Sequence, residues 1–153
     1  MPNTYTQIYI QFVFAVKHRQ SLIHPSWKDE LHKYITGIVK NNGHFVLCIN
    51  SMPDHLHLFV ILRTEQAVSH LMKDVKGSSS KWINDSGFLK GRFEWQSGYG
   101  AFSYNRSDIP RVVNYIQNQE EHHKRSTFKM EYRDFLEEYE VNYDERFVFH
   151  DPV

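Results

Sequence analysis

Hydrophobic and polar positions alternate at the start of the chain and then change period. Over residues 5 to 16, Ile8, Ile10, Phe12, Phe14 and Val16 fall on one side, with Tyr5, Gln7, Tyr9 and Gln11 on the other. A period of two predicts a strand with one apolar face. From Pro25 to about Lys40 the apolar positions Trp27, Leu31, Tyr34, Ile35 and Ile38 take helical spacing, and a proline suits the first turn. Asn41-Asn42-Gly43 ends that helix, and a second strand is expected over His44 to Asn50.

Met52-Pro53-Asp54 reads as a short turn into a third strand, His55 to Arg63. A helix over Gln66 to Ile83 follows, then a polar, glycine-containing stretch over residues 84 to 98, then a strand over Gly98 to Tyr104. Ser107 reads as the N-cap of a helix running to Lys124, and Phe128, Tyr132, Phe135, Leu136 and Tyr139 mark a last helix. The segment FVF at 147 to 149 suggests a short strand or an edge contact. The order β-α-β-β-α-β with trailing helices predicts an α+β fold. Its expected form is a ferredoxin-like antiparallel sheet with helices packed on one face, plus a C-terminal helix. The chain reads as one domain, residues 1 to 153, with a core at about 5 to 125 and an acidic helix and tail at about 126 to 153.

Composition narrows the class. At 41% hydrophobic and 24% charged residues, the chain resembles an ordinary globular domain. No apolar run reaches the ~18 residues of a membrane span. The opening MPNTYTQIYIQF lacks the basic and apolar stretches of a secretory signal. The lone Cys48, in the run FVLCI, reads as a buried structural thiol. A cytoplasmic location is expected. The net charge is zero, yet residues 1 to 125 carry +5 and the remainder −5. That asymmetry permits a nucleic-acid partner without demonstrating one.

Candidate chemistry sits in two places. In HLHLFVIL, strand alternation puts Leu56, Leu58, Val60 and Leu62 on one face and sends His55 and His57 from the other. Two imidazoles so placed can reach one cation, of Zn, Mn, Ni, Cu or Fe type, or Mg with oxygen ligands added. From spacing alone, a pair of solvated or hydrogen-bonded structural histidines is the plainer reading. In the helix after Ser107, Ile109, Val112, Val113 and Ile116 form the core stripe, while Tyr115 and Gln119 share a flank near it. A boundary tyrosine is the plainer reading, and periodicity does not connect this helix to the histidine strand.

Taken together, MPDHLHLFV at 52 to 60, LMKDVKGSSSKWIN at 71 to 84, GYGAFSY at 98 to 104 and YIQNQEEH at 115 to 122 resemble the single-tyrosine HUH transposases of small bacterial insertion sequences. The relatives of these enzymes include the REP-associated tyrosine transposases. The resemblance runs in order from the first strand to about residue 125. It implies a metal held by His55, His57 and Gln119, Mg or Mn as the ion, and Tyr115 as the nucleophile. It further implies a 5′-phosphotyrosine intermediate, single-stranded DNA with hairpin ends as substrate, and a homodimer. Lys73, Lys76, Lys81 and Arg19 are candidates for phosphate contacts, with Lys17, Lys124 and Arg125 behind them. No base for Tyr115 stands out, although His122 is nearby in sequence. A host-adopted nuclease of the same chemistry and a non-catalytic ferredoxin-like nucleic-acid binder remain open alternatives.

Overall fold

The computed structural model describes residues 3–124 and 127–142. Four strands form one antiparallel sheet: β1 (Tyr9–Ala15), β2 (Phe45–Met52), β3 (His55–Ile61) and β4 (Gly100–Tyr104), in the order β2-β3-β1-β4. Helix α1 (Pro25–Asn41) links β1 to β2, and α2 (Val68–Ser86) links β3 to β4. This is the expected ferredoxin-like arrangement. Three further helices follow: α3 (Ile109–Gln117), α4 (Gln119–His123) and α5 (Phe128–Glu138).

Helices α1 and α2 cover one face of the sheet. There Phe12, Phe14, Leu56, Leu58 and Val60 pack against Trp27, Leu31, Ile35 and Val39 of α1 and Leu71, Met72, Val75 and Ile83 of α2. The register places Phe12 opposite Leu58 and Phe14 opposite Leu56, so the apolar alternation read in both strands meets across the pair. On the other face, Val13, Ala15 and Phe102 pack against Phe128, Tyr132 and Leu136 of α5, while Tyr9, Cys48 and Phe59 meet Val112 and Ile116 of α3. The central strands are thus covered on both sides. Their polar positions, Gln11, His55 and His57, are buried rather than solvated.

Most elements lie within a few residues of the sequence reading, with informative exceptions. β1 starts at Tyr9, not at residue 5: regular pairing with β3 and β4 begins there, and one further backbone bond, from Leu62 N–H to the Ile8 carbonyl at 2.9 Å, precedes it. Helix α2 runs three residues past Ile83 and stops at Gly87, whose φ of 73° suits a residue without Cβ. Ser107 is not an N-cap: it lies inside a 3-10 turn, Arg106–Asp108, capped by Asn105, whose backbone N–H donates to Asp108 Oδ2 at 3.1 Å. The single helix expected to Lys124 is broken at Asn118, whose side-chain amide donates back to the Asn114 carbonyl at 2.8 Å. The segment FVF at 147 to 149 lies outside the described residues.

One irregularity matters for the site. β2 carries a bulge between Val46 and Cys48. The extra residue turns Cys48, Asn50 and Met52 toward the face that carries the histidines, with Asn50 opposite His57 and Met52 opposite His55. Cys48 is buried and free, as expected, and burial pushes its thiol pKa up.

Candidate active site and metal centre

His55 and His57 stand on the same face of β3, both fully buried. Each is held at its outer nitrogen. His55 Nδ1 lies 2.7 Å from Asp54 Oδ1, and His57 Nδ1 lies 2.7 Å from Gln11 Oε1 on the neighbouring strand. Both inner nitrogens face one carboxylate that the sequence reading did not single out. Glu131 Oε1, from α5, is 3.0 Å from His57 Nε2 and 3.5 Å from His55 Nε2.

Tyr115 and Gln119 reach the same place. The Tyr115 hydroxyl donates to Glu131 Oε2, and its ring meets that of His57 edge-on at 6.0 Å. Gln119 is fully buried, with Oε1 3.4 Å from His55 Nε2 and 3.0 Å from His123 Nε2. Its amide nitrogen donates to the Tyr115 carbonyl at 3.3 Å, which carries their four-residue relation across the break at Asn118. His123 also stands 3.5 Å from Glu131 Oε2. Phe128 closes the cluster by stacking on His55 at 4.3 Å between ring centres.

The electrostatics follow from burial and from this crowding. Burial would lower both imidazoles. At His55 the carboxylates of Asp54 and Glu131 outweigh it and lift the pKa to about 9. At His57 burial prevails over Glu131, helped by the neighbouring His55 and His123, so the pKa falls below its ordinary value. Glu131 would be raised by burial, yet His57, His123 and His55 hold it far below the usual carboxylate range. The Tyr115 phenol is pushed above its ordinary range, first by burial and then by the adjacent Glu131 charge.

A divalent ion fits this donor set. One ligand atom each from His55, His57 and Glu131 lies within 4.8 Å of the others, and all three residues are buried. Both imidazoles present Nε2 to lone-pair-bearing oxygens, so a cation between them satisfies every partner at once. Glu131 was legible in principle. It falls three residues after Phe128 and one before Tyr132, on the apolar stripe of its helix. A carboxylate on a buried stripe signals a partnered charge.

The lysines expected to contact DNA are scattered. Helix α2, with Lys73, Lys76 and Lys81, packs on the sheet face opposite the histidines. Lys76 is committed to the fold: its ammonium donates to the Gln96 and Gly98 carbonyls at 2.7 and 2.6 Å, and burial brings its pKa down to about 8. Lys81 pairs with Asp85 at 2.7 Å, Lys17 with Glu94 at 3.1 Å and Lys124 with Glu121 at 3.0 Å, all at the surface. Lys73 is exposed, and Arg19 is half-buried on the 3-10 turn after β1, with a left-handed φ of 51°. Arg125 and the side chain of His122 lie outside the described set. Among the described residues, no helix is long and apolar enough to cross a membrane.

Known proteins resemble this chain in sequence and in fold. The ISDra2 transposase TnpA of Deinococcus radiodurans is 25% identical over 118 residues, covering 74% of this chain and 84% of that protein. Two solved structures share the fold, each at a TM-score of 0.61. One is a transposase from Deinococcus radiodurans, 19% identical, covering 76% of this chain and 94% of that one. The other is a REP-associated tyrosine transposase bound to a REP hairpin, 18% identical, covering 79% of this chain and 72% of that one. Residues 4–119 match the family model described as "Transposase IS200 like", a span that holds His55, His57, Tyr115 and Gln119 and ends before Glu131. On that match, over most of its length, the chain belongs to the IS200-like transposase family.

Proposed function

We propose that this transposase cuts and rejoins single-stranded DNA by transesterification at Tyr115, beside a Mg or Mn ion held by His55, His57 and Glu131 with Gln119 alongside. The observation that carries this reading is convergence. A tyrosine hydroxyl, two imidazoles and a carboxylate from three separate elements meet in one buried cluster, in a chain of this family. When bound, a hard divalent ion supplies Lewis-acid stabilisation of charge on the scissile phosphate.

The protein's own groups do the rest. In the cut, Tyr115 Oη forms a bond to phosphorus, the bond from phosphorus to the 3′ oxygen breaks, and the leaving 3′ oxygen takes up a proton. The DNA 5′-phosphate is left on the tyrosine, and attack by a second 3′-hydroxyl reverses the step and restores the phenol. Tyr115 gives up its proton before attack, to solvent in the adjoining cavity, because Glu131 is held too far below the usual carboxylate range to take it. By accepting the hydroxyl's hydrogen bond, Glu131 Oε2 orients Oη. A cavity of about 300 Å³, lined by Gln11, Tyr104, Arg111, Tyr115, Glu131 and Phe135 among others, leads from the surface to this pair. A strand entering there places a phosphate against Tyr115 without unpacking the sheet. The hairpin held by the REP-associated relative supports a folded single strand as substrate. We place this chain in a homodimer on family grounds, although one chain already brings tyrosine and histidines together.

The test is a denaturing gel of protein incubated with Mn and labelled single-stranded DNA from the element's ends. A protein–DNA adduct is expected from the native chain, none from Tyr115→Phe, and much less from His57→Ala. An adduct of undiminished yield in Tyr115→Phe sinks the assignment of the nucleophile.

A further inference from the structure

We infer that Gln11 and Tyr104 form a positioning relay that sets the tautomer of His57, with Tyr139, just after α5, packed against Tyr104. The inference rests on the metal-site reading above and deepens it. Its starting point is an ambiguity at His57 Nδ1. An amide side chain offers an acceptor at one end and a donor at the other, so a glutamine beside an imidazole can stabilise either neutral form. With Gln11 Oε1 at Nδ1, that nitrogen carries the proton and Nε2 keeps its lone pair for a metal. With the amide reversed, Nδ1 accepts, Nε2 carries the proton, and His57 is lost as a ligand.

Glu131 Oε1, 3.0 Å from Nε2, favours a proton there in the absence of a cation, so it falls to the far end of Gln11 to hold the metal-ready form. Gln11 Nε2 lies 2.9 Å from Tyr104 Oη. Tyr104 also hydrogen-bonds the Tyr139 side chain, the two ring centres lying 5.9 Å apart. A Tyr104 proton directed to Tyr139 leaves the oxygen to accept from Gln11 Nε2, the arrangement seen here. The amide is held with Nε2 toward Tyr104 and Oε1 toward His57, 2.7 Å away. Gln11 is 1% exposed, so its amide relies on these two protein partners.

The placement follows from the sheet. β1 lies between β3 and β4, with Gln11 opposite Phe59 on one side and Phe102 on the other. One residue on the central strand thus reaches diagonally to His57 and outward to Tyr104. Asp54 does the simpler job at His55, since a carboxylate can only accept. Partners of this kind commonly change metal affinity by about 10- to 100-fold when removed.

The measurement is Mn affinity by electron paramagnetic resonance of the free ion, which does not depend on activity. Native protein binds Mn. Gln11→Leu is expected to bind about 10- to 100-fold more weakly, and Tyr104→Phe, which releases the amide to reverse, about tenfold more weakly. The decisive comparison places Tyr104→Phe in a Gln11→Glu background. A carboxylate has no donor end to present to Nδ1, so there Tyr104→Phe should leave the affinity of Gln11→Glu unchanged. Equal losses from Tyr104→Phe in both backgrounds would show that Tyr104 acts through packing alone and overturn the relay. Native affinity in folded Gln11→Leu would also overturn it. Where Gln11→Leu fails to fold, the two Tyr104→Phe comparisons decide. Absence of Mn binding by the native protein would instead remove the metal reading on which the relay stands.

Discussion

At the scale of single residues, Glu131 is the group on which the cluster turns. Buried carboxylates are costly unless paired, and this one is faced by His55, His57 and His123. Removing it leaves the His55 cation buried with only Asp54. Glu131→Ala is therefore expected to lower the stability of metal-free protein by about 3–5 kcal/mol. Urea unfolding measures this, and a change within experimental error would show that the histidines do not depend on the carboxylate. His32 offers a second test on the other face of the sheet. Burial, reinforced by the charge of Lys28, brings its pKa down to about 4, and Nε2 lies 2.8 Å from Ser51 Oγ. The unfolded chain takes up this proton near pH 6.5, whereas the folded chain does so only near 4. Stability therefore falls as pH drops through that window. With partial solvent screening the loss is about 1–2 kcal/mol. His32→Gln keeps a polar group for Ser51 and removes the titration, so its stability should decline less than that of the native chain between pH 6.5 and 4. Parallel curves would rule out His32 as the source.

Elements decide where the tyrosine points. Helix α3 is tied to the sheet by its core stripe and by one polar contact, in which Asn50 Nδ2 donates to the Ile116 carbonyl at 2.8 Å. Asn50 faces that carbonyl only because the bulge after Val46 reverses the facing of the rest of β2. Asn50→Ala removes the tether one residue from Tyr115. A stability cost of about 1–2 kcal/mol is expected, together with slower adduct formation at unchanged DNA affinity. A rate equal to the native one would mean that the stripe alone orients the helix. The same element shows what periodicity reads well and what it misses. The flank shared by Tyr115 and Gln119 is visible from spacing, whereas the break at Asn118 arises from an asparagine that bonds back to its own helix.

Across the whole molecule the sheet separates two tasks. The face under α1 and α2 is an apolar core, and the face under α3 and α5 carries the histidine–carboxylate cluster. The basic residues of α2 consequently stand away from Tyr115. On the proposed mechanism, DNA bound at α2 would lie away from Tyr115. Lys76, which staples the segment before β4 to α2, belongs to the fold. Lys76→Ala should destabilise the protein, and Lys73→Ala should leave stability unchanged while weakening DNA binding and flattening its salt dependence. Native salt dependence in Lys73→Ala would take the α2 face out of the DNA path.

Local pattern was enough for much of this. Alternation in residues 8 to 16 and 55 to 62 defined two strands and their apolar faces, and helical spacing placed α1, α2 and α5, because these signals depend only on which side of a strand or helix a residue occupies. The order of elements limited the topology, and the motif segments carried the family, with His55, His57, Tyr115 and Gln119 among them. Tertiary structure alone decided that both sheet faces are covered, since no strand records what packs on its polar side. It alone brought Glu131 from α5 against the histidines of β3, more than seventy residues apart in sequence. It also joined Gln11 to Tyr104 and turned Asn50 toward α3. Each of these depends on register and on docking between distant elements, which are settled by the burial of the whole sheet rather than by the residues beside them.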